Sequence, residues 1–411
     1  MLHRKPWERR LEDLAHTLQN CDQTYFDPEL FRRNTNHFVQ TARTVTFIIQ
    51  KHKDDIPGFE AWYKNNVVDP WKGDEYMEWA KNARNTVEKE GDLESHSVLR
   101  VKLIFSYLEE EDVEIPCGNE QLLRSNTDKL IKFAEDRLPS GIARASAVRI
   151  ARSWVVSELP SAELLHAMGY IYARIYDCVV NLAMHLDRKL PETIAPPAKI
   201  LSFKESAVRV QFVKVRDKES YRIRKSIIRR SKWDAFPEWM RDEIRKVRET
   251  TARPNDFETA VGFYSRMASM TFSTWGYHIP MVFFLDREWR PQYQVAPMFA
   301  DQADKFFFWR MLGEQAELQQ PQCVIHISEA WVRQLQGHPS TAIEDMPIKG
   351  EFLGLTAIDR DGREVERSWR IVRTGKEEPA SLESPEDSDG SEGKTYYYIP
   401  VKRALGIPIE I

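Results

Sequence analysis

SAELLHAMGYIYARIYDCVVNLAMHLDRKLPETIAPPAK, residues 161–199, decides how the chain divides. Its first thirty residues repeat apolar side chains at helical spacing, Ser161 and Glu163 supply a start signal, and Pro191 supplies a stop. The PETIAPPAK that follows has three prolines and few large apolar residues, so it continues neither a helix nor a central strand. A chain of 411 residues exceeds the size at which one core stops growing, and two domains are expected. The division read from this stretch is a helical domain over 1–190, a linker and basic connector over 191–254, and an α+β domain over 255–411.

Working back from residue 161, apolar recurrence at three and four residues predicts helices over most of the first domain. Asp27 is placed to cap a helix with Pro28 in its first turn, and Phe31, Phe38, Ala42, Val45 and Ile49 form its buried stripe. Two aromatic-rich segments follow Pro57-Gly58: FEAWYKNNVV, and DPWKGDEYMEWAKNARNTVEKEG, which Gly91 ends. The β-branched residues of SVLRVKLIFSYLEEE (97–111) favour a strand, and GIARASAVRIARSWVVSEL (141–159) reads as a helix. The expectation is a helical bundle with a small β addition.

Forward of residue 199 the pattern changes. AVRVQFVKV alternates as a strand does, YRIRKSIIRRSKW is densely basic, and PEWMRDEIRKVRE reads as a helix. From residue 255 the order is a helix (256–275), a hairpin of IPMVFFLD and QYQVAPMF, a helix (300–320), then strands CVIHIS, EFLGLTAID, REVERSWRIVR and TYYYIPV, with a turn at 359–362. This order predicts a mostly antiparallel sheet with helices on one side. Residues 375–394 are acidic, rich in Ser, Pro and Gly, and expected to be a disordered loop.

Charge is nearly balanced, 59 basic against 63 acidic residues, so any polyanion or membrane affinity must be local. The first residues carry no apolar signal core, and no run of about 18 apolar residues occurs, so a cytosolic protein with no membrane partner is expected. Cys21, Cys117, Cys178 and Cys323 form no Cys-x-x-Cys pair, and the reading assigns no metal and no cofactor.

Three groups of residues carry candidate chemistry. In ARNTVEKEGD, residues 83–92, Arg84 and Asn85 stand near a helix end, with Glu78 upstream and aromatic segments before it. On these residues the stretch 27–92 resembles the HEPN superfamily, whose nucleolytic members place Arg, a polar residue and His on one helix. The resemblance implies a helical bundle, a homodimer through the helical domain, and RNA cleavage by Arg84 and Asn85. The motif histidine is replaced by Lys89, leaving His96 as the remaining proton carrier. The bland reading of Arg84 is a helix-end cation among local acids. The second group is Arg222, Arg224, Lys225, Arg229, Arg230 and Lys232, beside Tyr221 and Trp233, suited to phosphates and unpaired bases or to an ordinary solvated face. The third is Asp286, Asp301, Asp304, Glu329 and Glu351 with Lys305 and His326, where a metal-dependent nuclease would need acids converging beside a lysine. Asp301 reads equally as a helix cap and Asp286 as a turn residue.

The leading reading is a non-enzymatic regulatory protein that binds a protein partner or ligand and carries a degenerate HEPN-like domain. The alternative is a HEPN-type RNA-cleaving or RNA-binding protein of a toxin or defence system. As an enzyme it would be a metal-independent endoribonuclease.

Overall fold

The computed structural model describes residues 4–118, 120–200, 208–220, 238, 241–242, 245, 253–334, 345–373, 380–384, 386–388 and 396–409. The fold is α+β, with helices dominating the N-terminal part and two antiparallel sheets, of strand order β2–β1–β3–β4 and β10–β9–β8–β7–β5–β6. Strands of the first are β1 (Ser95–Ile104), β2 (Val113–Ile115), β3 (Ala147–Val156) and β4 (Arg209–Lys214). The second contains β5 (Met281–Leu285), β6 (Pro291–Val295), β7 (Cys323–Arg333), β8 (Ile348–Asp359), β9 (Glu364–Val372) and β10 (Ser381–Leu382), with β11 (Glu386–Ser388) also on β9. No helix among the described residues is long and apolar enough to cross a membrane.

Two compact units result, and they interleave in sequence. One gathers Met1–Lys102, Glu114–Ala134 and Arg149–Phe212; the other gathers Leu103–Val113, Glu135–Val148 and Val213–Ile411. This differs from a sequential division at 190, for two local reasons. Residues 191–200 stay with the first unit because Ile194 is buried in its core and Tyr172 donates to the carbonyl of Ala195 at 2.6 Å. Residues 103–113 join the second because Arg310 grips Asp112 and the carbonyls of Ser106 and Leu108.

In the first unit, α1 (Pro6–Gln23), α2 (Pro28–Lys51), α3 (Glu75–Lys89) and α4 (Leu164–His185) enclose one apolar core. Asp27 caps α2 by accepting from the backbone N–H groups of Glu29 and Leu30, and the whole stripe from Phe31 to Ile49 is buried. The cap of α4 is Glu163, which accepts from the N–H of His166, so the helix begins after Ser161. The helix read over 141–159 is corrected. Only Ser140–Arg144 is helical, and Ala147–Val156 is β3. Val148, Ile150, Arg152, Trp154 and Val156 are all buried at alternate positions, and the arginine in that row hid the period of two.

In the second unit, α5 (Phe257–Trp275) starts at the capping residue Asp256 and ends at Gly276, whose positive φ of 72° suits a residue without Cβ. The hairpin of β5 and β6 forms as read, and Asp301 caps α6 (Gln302–Gln319). TYYYIPV is corrected from strand to a tight turn, Tyr396–Tyr398, leading into α7 (Ile399–Ala404), because Pro400 has no N–H to donate to a ladder but fits a helix's first turn. Two stretches of the acidic 375–394 segment are ordered as strands on β9 rather than loop. The sheet is covered on both faces instead of one. Cys323, Ile325 and Ile327 cluster with α5 residues, whereas the alternate Val324 clusters with Trp309, Leu312, Tyr398 and Val401 of the α6–α7 side.

Candidate functional site

The seven-stranded sheet runs out at one end, and the side chains of interest gather there. β5 pairs with β7 only from Cys323 to Ile327, while β7 continues to Arg333 beside β8. Among the described residues no strand pairs with 328–332 on the β5 side. The last turn of α5, the segment leading into β5 and the ends of β7 and β8 leave Trp275, Tyr277, Ile279, Trp331, Val332 and Ile348 exposed, Trp331 by 61 %. Single exposed apolar residues are ordinary on a protein surface. Six on segments that meet at one sheet end make an apolar group larger than such scattered exposure.

Alternation fixes which charges share each face. Glu329, Trp331 and Arg333 continue the α5 face of β7, and Glu351 pairs directly with Trp331 in β8. On this face Arg373 donates to both oxygens of Glu351, at 2.7 and 2.9 Å, and lies 3.8 Å from Glu329. Glu329 also accepts from the backbone N–H of His278. The Arg373 hydrogen bonds hold Glu351 below the usual carboxylate range, while burial pushes Glu329 up. The Arg333 guanidinium lies 5.9 Å from the Trp331 ring centre and donates to the carbonyl of Met346.

His326 points to the opposite face, where its ring meets Trp309 edge-on at 5.0 Å and Tyr397 at 5.8 Å. Its Nε2 is buried with no hydrogen-bond partner among the described residues, and burial, with Lys305 and His278 nearby, pushes the imidazole down to about 3. Burial, then the neighbouring Arg333, also lowers Lys305.

The third group of sequence candidates is thus partly assembled and partly dispersed. Glu329 and Glu351 share Arg373; Lys305 acts electrostatically on His326; Asp301 and Asp304 both pair with Lys214, at 3.0 and 2.7 Å. Asp286 accepts from the N–H groups of Glu288 and Arg290 as a turn residue. Carboxylates and lysine on opposite faces cannot converge on one reacting atom. Among the described residues no group of three or more His, Cys, Asp or Glu is placed to hold a metal. A cavity of about 350 Å³ in the same unit is lined by Glu110, Arg310, Glu314, Glu317 and Arg403 among others, but its guanidiniums are taken up, Arg310 by Asp112 and Arg403 by Glu110.

Arg84 is bound within its own helix, paired with Glu88, donating to the side chain of Asn85 and lying over the Phe47 ring at 5.6 Å. His96 lies on β1 and shares a 3.1 Å hydrogen bond with Ser157. The basic candidates Arg222, Arg224, Lys225, Arg229, Arg230 and Lys232 lie outside the described residues. Sequence reasoning missed Trp331, Val332 and Ile348, because nothing in CVIHISEAWVR marks where the neighbouring strand ends.

Over residues 5–410 the chain matches the family described as Bacteriophage lambda protein ea47. Protein ea47 of Escherichia phage lambda is 39% identical over 405 residues, covering 98% of each chain. No solved structure matches the chain. A single different family spanning nearly the whole length overturns the HEPN resemblance of residues 27–92. The chain belongs to the phage lambda ea47 protein family.

Proposed function

We propose that this member of the phage family is a non-catalytic protein that acts by docking a protein partner on the free end of its seven-stranded sheet. The observation that carries the reading is the exposed group of Trp331, Val332 and Ile348 where β7 runs past the end of β5, with no strand among the described residues pairing with 328–332 on that side. An unpaired strand supplies main-chain donors and acceptors in a row, and aromatic side chains supply large contact area at small entropic cost. Glu329 and Glu351 beside Trp331 are balanced by Arg373 and Arg333, so the patch carries no cationic excess to draw a phosphate backbone, which favours a polypeptide. A titrating catalyst is disfavoured by His326, whose proton affinity is far from neutrality and whose ring is enclosed.

The test places a photo-crosslinking amino acid at position 331 of the full chain in bacteria. The expected result is a discrete adduct with one identifiable protein, which after purification protects the amides of 328–333 from hydrogen exchange and loses affinity for the Trp331→Lys variant. A folded chain that gives no adduct at 331 would sink the docking reading.

A further inference from the structure

We infer that the helical unit carries a ligand site of its own, a cleft between α4 and the π-helical turn Lys64–Val68 that takes a neutral polyhydroxylated ligand the size of one sugar ring. The inference is independent of the docking reading.

The cleft exists because the chain before Pro70 does not continue as a plain α-helix. Proline offers no N–H, and its ring crowds the carbonyl four residues back. The helical run from Phe59 to Trp71 widens to one π turn over Lys64–Val68. Such turns concentrate at functional sites. On the facing helix α4, Arg174, Asp177, Cys178 and Asn181 recur at helical spacing along one side. These four, with Asn65, Asn66, Pro70 and Trp71, line a cavity of about 310 Å³. That volume is at the low end of small-ligand sites, about 300–1,000 Å³.

Arg174 fixes the wall. Its Nη2 donates to the carbonyl of Pro70 at 2.8 Å, and its Nε lies 3.3 Å from Asp74. Asp74 also accepts from the Tyr170 hydroxyl and caps α3 through the N–H of Met77. The turn that carries Trp71 is therefore held to α4 before a ligand arrives, which lowers the ordering cost of binding.

The hydrogen-bonding groups select the ligand. Asn66 uses its Nδ2 on the carbonyl of Trp62 at 2.9 Å, which leaves its side-chain oxygen. Among the described residues the side chains of Asn65 and Asn181 make no hydrogen bond and Asp177 makes no ion pair. The cleft thus offers two whole amides, a third amide oxygen and a carboxylate. Its one lining cation, Arg174, is already engaged, so a phosphate finds no free positive charge. An ammonium group cannot use the amide donors, whereas a hydroxyl both donates and accepts. Trp71, beside Pro70, gives an apolar face for the C–H side of a sugar ring. A nucleobase is gripped best between two flat walls, and Trp71 is the single aromatic in the lining.

Saturation-transfer NMR on the full chain with glucose, galactose and N-acetylglucosamine tests this, with adenosine as the flat aromatic comparison. A ring of about twelve heavy atoms is expected to bind at roughly millimolar strength. At least one sugar should therefore give a signal that saturates below roughly 50 mM. Asn65→Ala and Asn181→Ala remove amides that hold nothing in the fold, so each should leave the urea midpoint unchanged and weaken sugar binding by about two- to tenfold. No saturable signal from any of the three sugars, a signal unchanged in both variants, or a signal from adenosine alone overturns the inference. A lowered urea midpoint in both variants would give these amides a structural role and overturns it as well.

Discussion

Arg310 closes on Asp112 with two parallel hydrogen bonds, of 2.9 Å from Nη1 and 2.7 Å from Nη2, and the same Nη2 donates to the carbonyls of Ser106 and Leu108. Both side chains are nearly enclosed, so the pair holds the 103–113 segment to the second unit without competition from water. Arg310→Ala leaves a buried carboxylate and two carbonyls unmatched and should cost about 3–5 kcal/mol in urea unfolding. Arg290→Ala, which removes only an exposed ion pair with Glu288, should stay within about 0.5 kcal/mol. Equal effects would mean that the Arg310 contacts contribute nothing beyond surface electrostatics.

Two helix glycines should respond in opposite directions. Gly262 lies inside α5, and a Cβ there meets nothing within 4 Å; Gly262→Ala should stabilise by roughly 0.5–1 kcal/mol through helix propensity alone. Gly313 lies inside α6, where a Cβ would fall 2.8 Å from the carbonyl oxygen of Pro400. Backbone cannot rotate aside as a flexible side chain can, so Gly313→Ala should cost about 1–3 kcal/mol despite the same propensity gain. Thermal unfolding of the two variants decides the point, and a stabilised Gly313→Ala would show that α7 does not pack as described.

Much of this architecture was legible because capping and turn chemistry is local. Asp27 before Pro28, Asp256 before Phe257, Asp301 before Gln302 and the turn at 359–362 each announce a boundary within four residues. The errors came where the deciding partner lies far away in sequence. Arg152 is fully buried in β3 because the carbonyl of Ser125 and the ring of Trp154 receive it, and neither could be inferred from its neighbours. The three tyrosines before Pro400 look like strand residues, but Tyr397 and Tyr398 pack on Trp309 of α6. At the candidate site, Glu329, Glu351, Lys305 and His326 were visible as chemically interesting residues. His326 and Glu329, three residues apart on one strand, separate by alternation alone, but that Glu351 joins Glu329 depends on the β7–β8 register, which no local pattern encodes.

Arg152 itself should be dispensable for stability. Its Nη2 donates to the carbonyl of Ser125 at 2.8 Å, but Nε and Nη1 are buried without hydrogen-bond partners among the described residues, and burial pushes the guanidinium down to about 10. Arg152→Met keeps much of the volume and removes the buried charge, so its expected effect on urea unfolding lies between neutral and a gain of about 1–4 kcal/mol. Arg152→Ala, which also leaves a void, should be less stable than Arg152→Met. A Met variant weaker than wild type by more than about 1 kcal/mol would mean that the single Ser125 hydrogen bond and the Trp154 contact outweigh desolvation.

His326 predicts a pH dependence whose sign follows from where its proton binds. In the unfolded chain the imidazole takes up a proton near its ordinary 6.5, whereas in the folded chain burial delays this to about 3. Between those values the unfolded state binds more protons, so the contribution is fully present above 6.5 and is lost as pH falls, by up to about 1.4 kcal/mol per pH unit. His278, also lowered by burial, adds to the same loss. Carboxylates such as Glu110, held at about 2 by its hydrogen bonds with Arg403, add theirs only below the ordinary 4.5. The informative window is therefore about pH 6.5 to 5. His326→Phe retains an aromatic ring against Trp309 and Tyr397 while removing the titrating group and its unpartnered nitrogen. Urea unfolding across that window should show wild type losing stability more steeply than His326→Phe, with the two curves converging towards a constant difference above pH ~7. Parallel curves throughout would show that the His326 ring reaches solvent and titrates alike in both states.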